Sequence, residues 1–361
     1  MPAYKDEKTN TWMARFYYSD DRGNRKQKKK RGFKRKSDAL EYEREFLLKL
    51  DGSAQMTFQT LFEDYFEDMK PRLRPATISR KKYIFRDKLL PYLDHYAITE
   101  IDEKVVRRWQ NQLLQQKKTD GNKYSQTYLR GVNNEFSAIM NYAVKFYKLP
   151  YNPVRRAGTI GRKHADGIQF WTLDEFNQAM KYFEGNEEIE FRTMYYLLFY
   201  SGMRLGEMKA LTIKDFDFKN NLVSITKSYA RVDGKVYINK PKTVKSEREI
   251  TLPLTIIEMI KEYISKLYDV EENTLIFPSN KSSISRRLKT AARNTGVKEI
   301  RTHDLRHSHV ALLIEMDINT LVIQDRLGHE DIQTTLNTYG HLYPNKQEEV
   351  AESLNKLLSP I

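Results

Sequence analysis

The spacing of hydrophobic residues changes along the chain and divides it into segments of different predicted structure. Residues 11–18 are rich in β-prone side chains, and the Asp-Asp-Arg-Gly-Asn stretch at 20–24 is typical of a hairpin turn. A second strand is predicted at 25–30, followed by a short helix that Ser37 caps. The pattern predicts a small sheet packed on one helix within residues 1–52.

From Thr57 to about Tyr147, hydrophobic residues recur at intervals of three and four, which is the helical period. Pro71 and Pro75 are expected to end the first helix. Further helices are predicted at 83–93, after Asp102 and after Ser125. Four helices of this kind form a compact bundle, so a helical domain is expected over residues 56–150.

Residues 151–168 are polar, basic and interrupted by proline and glycine, so they are predicted to be an interdomain linker. A capping box beginning at Thr172 opens the last domain, 169–361. Three short strands are predicted there at 222–226, 236–238 and 248–252, with a tight turn at 232–235. Helices are predicted at about 254–268, 283–294, 303–316, 319–327 and 332–339. The predicted fold class is multidomain α+β: a small β-sheet plus helix, a helical bundle, and a mainly α domain with a small antiparallel sheet.

Charge and composition narrow the classes of partner. The 361 residues include 62 Lys plus Arg against 48 Asp plus Glu, a net charge of +14, which favours an anionic partner, nucleic acid first. Residues 1–50 hold 15 basic and 8 acidic side chains, which is half of that net charge. The absence of cysteine excludes disulfides and thiolate metal sites, and no apolar run approaches the roughly 18 to 20 residues of a membrane span. A cytoplasmic protein without a membrane segment is expected.

Four motifs in the C-terminal half of the chain contain candidate catalytic residues. Residues 200–207 predict a helix that stops at a glycine and then presents Arg204. His303-Asp304-Leu305-Arg306-His307, Leu327-Gly328-His329 and Thr338-Tyr339 follow within about forty residues of one another. Together, in this order and spacing, the four motifs resemble the tyrosine recombinase family, the integrases that cut and rejoin DNA through a phosphotyrosine.

Tyr339 is the candidate nucleophile. A phenol, whose ordinary pKa is near 10, attacks a phosphodiester poorly unless a base accepts its proton and cations neutralise the growing charge. Arg204 and Arg306 suit the second role, because a guanidinium binds two phosphate oxygens with a planar fork and keeps its charge.

The resemblance implies that His303 lies beside the nucleophile as proton acceptor and that His329 donates a hydrogen bond to a nonbridging oxygen. His307 and His309 are interpreted as supporting or surface residues, and His341 has no assigned role. His303 and His307 are spaced four apart, which also describes a metal-binding pair. No Glu stands in the zincin arrangement and no thiol is present, so neither a metal nor another cofactor is expected.

Lys242, on a loop between two predicted strands, would protonate the departing 5′ oxygen, a general-acid role that contributes roughly 10²- to 10⁴-fold. Lys240 and Lys245 are near enough in sequence to remain alternatives. Glu207 and Asp304 are interpreted as carboxylates that orient their neighbours.

The resemblance also implies DNA contacts outside the catalytic residues: an arm-type DNA-binding domain at 1–52 and a core-binding domain at 56–150 that clamps the duplex. A basic β-ribbon can lie in the major groove, although a flexible basic tail is the alternative. The candidate DNA-binding residues are Arg25, Lys26, Lys28 and Lys30 in the ribbon, Arg72, Arg74, Lys81 and Lys82 in the helical domain, where they are expected to be exposed, and Arg155 and Arg156 in the linker. Arg80, Lys123 and Arg130 are further candidates for phosphate contacts.

The implied reaction produces a 3′-phosphotyrosine and a free 5′ hydroxyl, which then attacks the link of a partner duplex without ATP or metal. The implied partners are double-stranded DNA at core and arm sites, three further copies of the chain in a homotetramer, an excisionase and a host DNA-bending protein. An amphipathic strip in the tail at 345–358 is expected to dock either on a neighbouring subunit or on its own domain.

Two other functions remain open at this point. A type IB topoisomerase would use related residues to relax supercoils as a monomer, and a non-catalytic DNA-binding regulator would have lost the chemistry. The basic N-terminal ribbon and the ten-residue spacing from His329 to Tyr339 favour recombination over the first. The occupied catalytic positions argue against the second.

Overall fold

The computed structural model describes residues 3–6, 9, 11–19, 25–50, 56–163, 167–185, 188–241, 243–268 and 270–340. The chain divides into two compact units, 1–166 and 167–361. Several sequence predictions lie outside the described residues: the hairpin turn at 20–24, Lys242, His341 and the tail at 345–358.

The first unit begins with an antiparallel sheet in the order β1-β2-β3, formed by Tyr4–Asp6, Thr11–Ser19 and Arg25–Phe33. Helix α1, Lys36–Leu50, packs on this sheet and buries Phe16 of β2. The predicted sheet-plus-helix arrangement is confirmed. Strand β1 was not predicted, because three residues are too few to display a period of two.

The rest of the first unit is helical: α2 Phe58–Met69, α3 Pro75–Ile84, α4 Leu90–Leu93, α5 Glu103–Gln115, α6 Gln126–Phe146 and α7 Pro153–Ala157. A π-helical turn at Phe85–Leu89 joins α3 to α4. Trp109 and Phe136 pack edge to face at the centre of a core separate from that of the sheet. Pro75 does not end α2 as predicted; it begins α3, because the first position of a helix needs no backbone N–H.

The expected linker at 151–168 is in large part packed. Asn152 caps α7, and Val154, Ala157 and Ile160 are buried in the same core as Trp109. The prediction that the linker begins at residue 151 is therefore wrong. Its polar composition concealed a single helical turn that starts with proline.

The second unit comprises α8 Leu173–Met180, α9 Ile189–Ser201, α10 Leu205–Met208, β4 Phe216–Asp217, β5 Leu222–Ile225, β6 Ser228–Val232, β7 Lys235–Asn239, β8 Arg248–Thr251, α11 Leu254–Ser265, α12 Lys281–Thr295, α13 Asp304–Glu315, α14 Thr320–Leu327 and α15 Ile332–Tyr339. Helix α9 lies at the centre of its core. The predicted capping box is present, with Thr172 and Glu175 bonded reciprocally. The five predicted helices from 254 onward occur within a few residues of their expected bounds.

The strands of the second unit form two groups rather than the single small sheet predicted. Strands β4, β5 and β8 pair in that order, whereas β6 and β7 form a separate hairpin. Asp233 and Gly234, both with positive φ, make the predicted tight turn of that hairpin. Among the helices that the structure describes, none is long and apolar enough to cross a membrane.

Candidate active site

The end of α9 places the first guanidinium. Gly202 terminates the helix in the left-handed conformation, with φ of 66°, and a β-carbon there would overlap the ring of His309. The chain then turns so that Arg204 stands at the start of α10 with its side chain 40% exposed. The predicted sequence of helix, glycine stop and arginine is confirmed.

Glu207 fixes Arg204 from one turn further along. Its carboxylate accepts hydrogen bonds from the Arg204 backbone N–H at 2.8 Å and from Arg204 Nη1 at 2.7 Å. A third bond comes from Nη2 of Arg248 on β8 at 2.9 Å. Burial alone would raise the pKa of Glu207, but Arg248 and then Arg204 hold that pKa below its ordinary value. Glu207 therefore remains a carboxylate that orients Arg204.

Arg306 supplies the second guanidinium from the first turn of α13. It is buried, and it donates from Nη1 to the Gly202 carbonyl at 2.7 Å and from Nη2 to the Leu327 carbonyl at 2.8 Å. Burial, and then the charge of Arg204, lowers the pKa of Arg306 to about 9, so the group stays charged near neutral pH. These two bonds join α13 to the C-terminal ends of α9 and α14.

His329 follows the glycine that ends α14. Gly328 has a positive φ of 64°, and a β-carbon at this position would lie only 2.8 Å from the Lys245 carbonyl oxygen. Glycine is therefore required here on both counts. Gln324 binds the His329 backbone on both sides, accepting from its N–H at 3.1 Å and donating to its carbonyl at 3.1 Å. Burial, then Arg306 and Arg204, lowers the pKa of His329 to about 4. The imidazole is neutral at pH 7 and can donate one hydrogen bond.

Tyr339 is the last residue of α15 and is buried among Val310, Ile323 and Leu327. Its hydroxyl lies 2.6 Å from Nδ1 of His307. Burial raises the pKa of Tyr339 to about 12, although the charge of Arg306 acts in the opposite direction. The phenol is therefore protonated at neutral pH and requires a proton acceptor before it can attack.

The histidine in contact with Tyr339 differs from the one expected. His303, expected beside the phenol, precedes α13 and is exposed, and its ring meets that of His307 at a centroid distance of 5.3 Å. His307, one helical turn further on, makes the bond to the hydroxyl. Of the two interpretations given to His307 and His309, supporting or surface residues, the surface one is wrong, because His307 is half-buried and His309 is fully buried beside Arg326.

The loop that carries the candidate general acid is described in part. Lys242 lies outside the described residues, whereas the Lys245 ammonium donates to the Glu330 carbonyl at 3.3 Å, next to His329. Lys240 is exposed at the end of β7. In the part of the chain that the structure describes, no cluster of three His, Asp or Glu residues could hold a metal ion.

One candidate DNA-binding residue is not available for that role. Lys81 is buried, forms an ion pair with Glu135 and donates to the Tyr65 hydroxyl at 2.6 Å, so the prediction that it is exposed is wrong. Its neighbour Lys82 is exposed. The other candidates of the first unit's helices, Arg72, Arg74, Arg155 and Arg156, are also exposed.

The two faces of β3 differ. Lys28 and Lys30 point toward α1, where their ammonium groups lie over the rings of Phe46 and Tyr42. Alternation along the strand puts Arg25 and Lys29 on the opposite, open face, and Arg25 lies over Tyr17 there.

A basic strip on α12 was not identified from the sequence. Lys281, Ser285, Lys289 and Arg293 recur every fourth residue, and with Arg286 they line one open groove. The available signal was the recurrence of basic residues, Lys281, Arg286, Lys289 and Arg293, along one predicted helix. It was passed over because the same helix also carries an apolar core face.

The assembled groups suit phosphoryl transfer. Two guanidiniums and a neutral imidazole within mutual electrostatic influence can neutralise and hydrogen-bond a phosphate, and a phenol in contact with a second imidazole can attack it.

Three family profiles match the chain. Residues 169–346 match the phage integrase family, residues 2–50 an arm DNA-binding domain, and residues 57–114 the N-terminal SAM-like domain of phage integrases.

Curated relatives support the same family. The chain is 31% identical over 322 residues to the ICEBs1 integrase of Bacillus subtilis strain 168, covering 85% of this chain and 84% of the relative. It is 27% identical over 313 residues to the integrase of Staphylococcus phage L54a, covering 73% of this chain and 88% of the relative.

Solved structures share the fold. A Tn1549 transposon integrase in complex with circular intermediate DNA superposes with a TM-score of 0.66 at 18% identity, over 84% of this chain and 100% of that chain. A lambda integrase dimer bound to a COC′ core site gives a TM-score of 0.59 at 14% identity, over 93% of this chain and 94% of that chain.

Proposed function

Because the chain belongs to the phage integrase family of tyrosine recombinases, we propose that Tyr339 is the nucleophile with which it performs that family's reaction. The chain is a site-specific DNA recombinase of the kind that integrates and excises mobile elements.

In the proposed reaction, the Tyr339 oxygen attacks the scissile phosphate, the bond from phosphorus to the 5′ oxygen breaks, and a 3′-phosphotyrosine remains. Arg204 and Arg306 neutralise the nonbridging oxygens, and His329 donates a hydrogen bond to one of them. Lys242 protonates the leaving oxygen, with Lys245 as the alternative because its ammonium approaches the Glu330 carbonyl. The 5′ hydroxyl of a partner duplex then attacks the phosphotyrosine and restores a phosphodiester.

The observation that best supports this assignment of residues to the reaction is the pair of hydrogen bonds that fixes the Arg306 guanidinium. A buried guanidinium that gives one nitrogen to Gly202 and another to Leu327 cannot reorient without breaking two hydrogen bonds. Such fixed positive charge favours a transition state that carries extra negative charge on phosphorus, because no reorganisation is needed when that charge develops.

A nicked suicide duplex bearing the element's attachment core tests the nucleophile. The full-length protein is expected to form a covalent adduct that Tyr339→Phe cannot form. Tyr268→Phe is the matched control, since Tyr268 is 96% exposed on the same unit. Absence of an adduct with the unchanged protein, or an undiminished adduct in Tyr339→Phe, would overturn the assignment.

The proposed DNA surfaces lie on both units. On the first unit they comprise the open face of β3 with Arg25 and Lys29, and exposed residues of the helices such as Arg74 and Lys82. On the second unit, the strip on α12 offers four basic side chains along one groove, Lys281, Arg286, Lys289 and Arg293, which suits a run of phosphates. Affinity for DNA is expected to fall steeply as salt rises, because each neutralised phosphate releases counterions.

Double-stranded DNA is bound at two kinds of site in this proposal, core sites and arm sites. Removing residues 1–50 is expected to spare cleavage of a core duplex and to reduce integration that requires arm sequences. Normal recombination by the shortened protein would contradict a separate arm-binding role.

For the assembly, we propose four copies on two duplexes, with an excisionase and a host DNA-bending protein as further partners. Supercoil relaxation at unspecific sites, without synapsis, would instead favour a topoisomerase-like activity. Sedimentation of the protein with attachment-site DNA distinguishes a tetrameric complex from a bound monomer.

A further inference from the structure

The hydroxyl of Tyr339 has an imidazole partner that the resemblance did not assign. Oη of Tyr339 lies 2.6 Å from Nδ1 of His307, within the range of a strong hydrogen bond between neutral groups. The two rings are inclined at 56°, with their centroids 5.5 Å apart. This inclination is compatible with an in-plane approach of the hydroxyl to the lone pair of the nitrogen.

His307 is held by its helix rather than by Tyr339. It lies on the second turn of α13, between the buried residues Arg306 and Ser308. The Ser308 hydroxyl donates to the Asp304 carbonyl at 3.0 Å and accepts from the Trp171 backbone N–H at 2.9 Å. The part of α13 that carries His307 is therefore anchored, and it also carries Arg306, the residue assigned to the phosphate.

Resting on the proposed function, we propose that His307, rather than His303, accepts the proton of Tyr339 when the phenol attacks the scissile phosphate. The phenolic proton passes to Nδ1 of His307 while the new oxygen–phosphorus bond forms and the bond to the 5′ oxygen breaks. The leaving oxygen takes its proton from the general acid on the loop after β7. In this step His307 gains the proton of Tyr339, and the lysine that acts as general acid loses one to the leaving oxygen. No oxidant or reductant is needed.

The charges around His307 couple this transfer to DNA binding. The pKa of His307 is lowered, first by burial and then by His303, with Arg301 and Arg306 acting in the same direction. The carboxylate of Asp304 acts in the opposite direction. The arriving phosphate would add negative charge beside Arg306 and raise this pKa. The imidazole is therefore a poor proton acceptor in the free protein and a better one once the phosphate is bound.

His303 is the other histidine that could accept the proton, and it serves as the control for His307. It stands four residues earlier, at the N-cap of the same helix, its ring contacts that of His307, and it is exposed where His307 is half-buried. If His303 were the acceptor, the phenol would first have to leave His307. The two histidines can therefore be separated by equivalent substitutions.

The test measures single-turnover cleavage of the suicide duplex by the full chain carrying His307→Asn or His303→Asn. Asparagine keeps a hydrogen-bonding atom near the position of Nδ1 but cannot accept the proton. His307→Asn is expected to slow adduct formation by roughly 10²- to 10⁴-fold while leaving duplex affinity within about 2-fold. His303→Asn is expected to slow it less.

A second measurement separates proton transfer from mere support. Replacing Tyr339 with a fluorinated tyrosine, whose phenol is more acidic, is expected to restore at least part of the rate lost in His307→Asn, increasingly as pH rises. A purely structural defect would show no such rescue, even in a variant that is partly unfolded.

The outcomes keep this inference distinct from the proposed function. If the unchanged protein forms no adduct, the assignment of Tyr339 fails first. If the unchanged protein forms the adduct and His307→Asn cleaves at the same rate, or its loss is not rescued by the more acidic phenol, His307 is not the acceptor. A rescue confined to His303→Asn would return the role to His303.

Discussion

Arg248 on β8 donates Nη2 to Oε2 of Glu207 at 2.9 Å, with both side chains less than a tenth exposed. Arg248 also donates from Nε to the Arg326 carbonyl at 2.8 Å and from Nη1 to the Ser246 carbonyl at 3.1 Å. The side chain thus links β8, the end of α14 and the carboxylate that orients Arg204. It touches no proposed substrate atom, so its role is to position Arg204 through Glu207.

Arg248→Met should therefore be destabilising and should also impair cleavage. Loss of one partner from a buried ion pair typically lowers the free energy of unfolding by about 3 to 5 kcal/mol. The change here should lie at the lower end, because Arg204 still pairs with Glu207. Urea unfolding followed by circular dichroism measures this change. The double variant Arg248→Met with Glu207→Gln should recover part of the stability, because the buried charge is then removed as well. A double variant that is no more stable than Arg248→Met would show that the pair is not coupled.

Gly202 and Gly296 provide a second matched pair. Both end a helix in the left-handed conformation, with φ of 66° and 74°. A β-carbon at Gly202 would overlap His309 and lie 3.1 Å from Cδ2 of Leu327, whereas at Gly296 it would meet nothing within 4 Å. Gly296→Ala should lower the free energy of unfolding by about 1 kcal/mol from backbone strain alone.

Gly202→Ala should lower that free energy further, by at least about 2 kcal/mol, because the added carbon must displace buried atoms. It should also slow adduct formation, since the Gly202 carbonyl holds Arg306. Urea unfolding and the suicide-duplex assay measure the two effects. Equal destabilisation by both alanines would mean that crowding at Gly202 has no energetic consequence.

The elements that could be predicted from the sequence are those whose signals are local. The helix that ends at Gly202, the capping box at Thr172 and the turn at Asp233-Gly234 each depend on a few adjacent residues, and each occurs where expected. Strand grouping is different, because β8 pairs with β5 across a gap in which the β6–β7 hairpin intervenes. Such pairing depends on the whole domain and leaves no local trace.

The contacts that the sequence did not predict have the same origin. His303 and His307 are four apart, so spacing places both on one face of α13 and cannot say which one meets Tyr339. Lys81 looked like an exposed cation because its partner Glu135 lies 54 positions later in the sequence. Only the packing of α3 on α6 brings the two together.

Lys81 and Lys82 give the third prediction. Lys81→Met should lower the free energy of unfolding by about 3 kcal/mol or more, because Glu135 would remain buried without its ion pair. Lys82→Met should leave stability nearly unchanged and should weaken binding of a core duplex, with a smaller dependence of affinity on salt. Thermal unfolding and fluorescence anisotropy at several salt concentrations separate the two effects. A large stability loss in Lys82→Met alone would reverse the assignment.

The fourth prediction compares Lys29 and Lys30, two neighbouring residues of β3 in the N-terminal sheet. Lys29 is on the open face of β3, whereas Lys30 lies over the Tyr42 ring at 4.3 Å on the side of α1. Lys29→Gln should therefore reduce affinity for arm-site DNA, by about 3- to 10-fold at moderate salt, more than Lys30→Gln does. Anisotropy titration with an arm duplex measures both. A larger loss from Lys30→Gln would place the DNA on the helix side of the sheet.

The last prediction concerns acid. Burial, and then the charge of Arg326, lowers the pKa of His309 to about 3, so the folded protein keeps this imidazole neutral where the unfolded chain, with a value near 6.5, is protonated. The unfolded state therefore binds the extra proton as pH falls from 6.5 toward 3, and the free energy of unfolding drops across that window. One such histidine contributes a slope of up to about 1.4 kcal/mol per pH unit.

His309→Gln should make that dependence shallower, because glutamine can still accept the bond from Arg326 but does not titrate. The variant is expected to be less stable than the unchanged protein at pH 7.5, and the difference between them should shrink toward pH 4.5. Urea unfolding at a series of pH values, fitted with separate transitions for the two units, measures both slopes. His95→Gln, an exposed position on the other unit, is the control. Parallel stability curves for His309→Gln and the unchanged protein would show that another group governs the acid sensitivity of the catalytic unit.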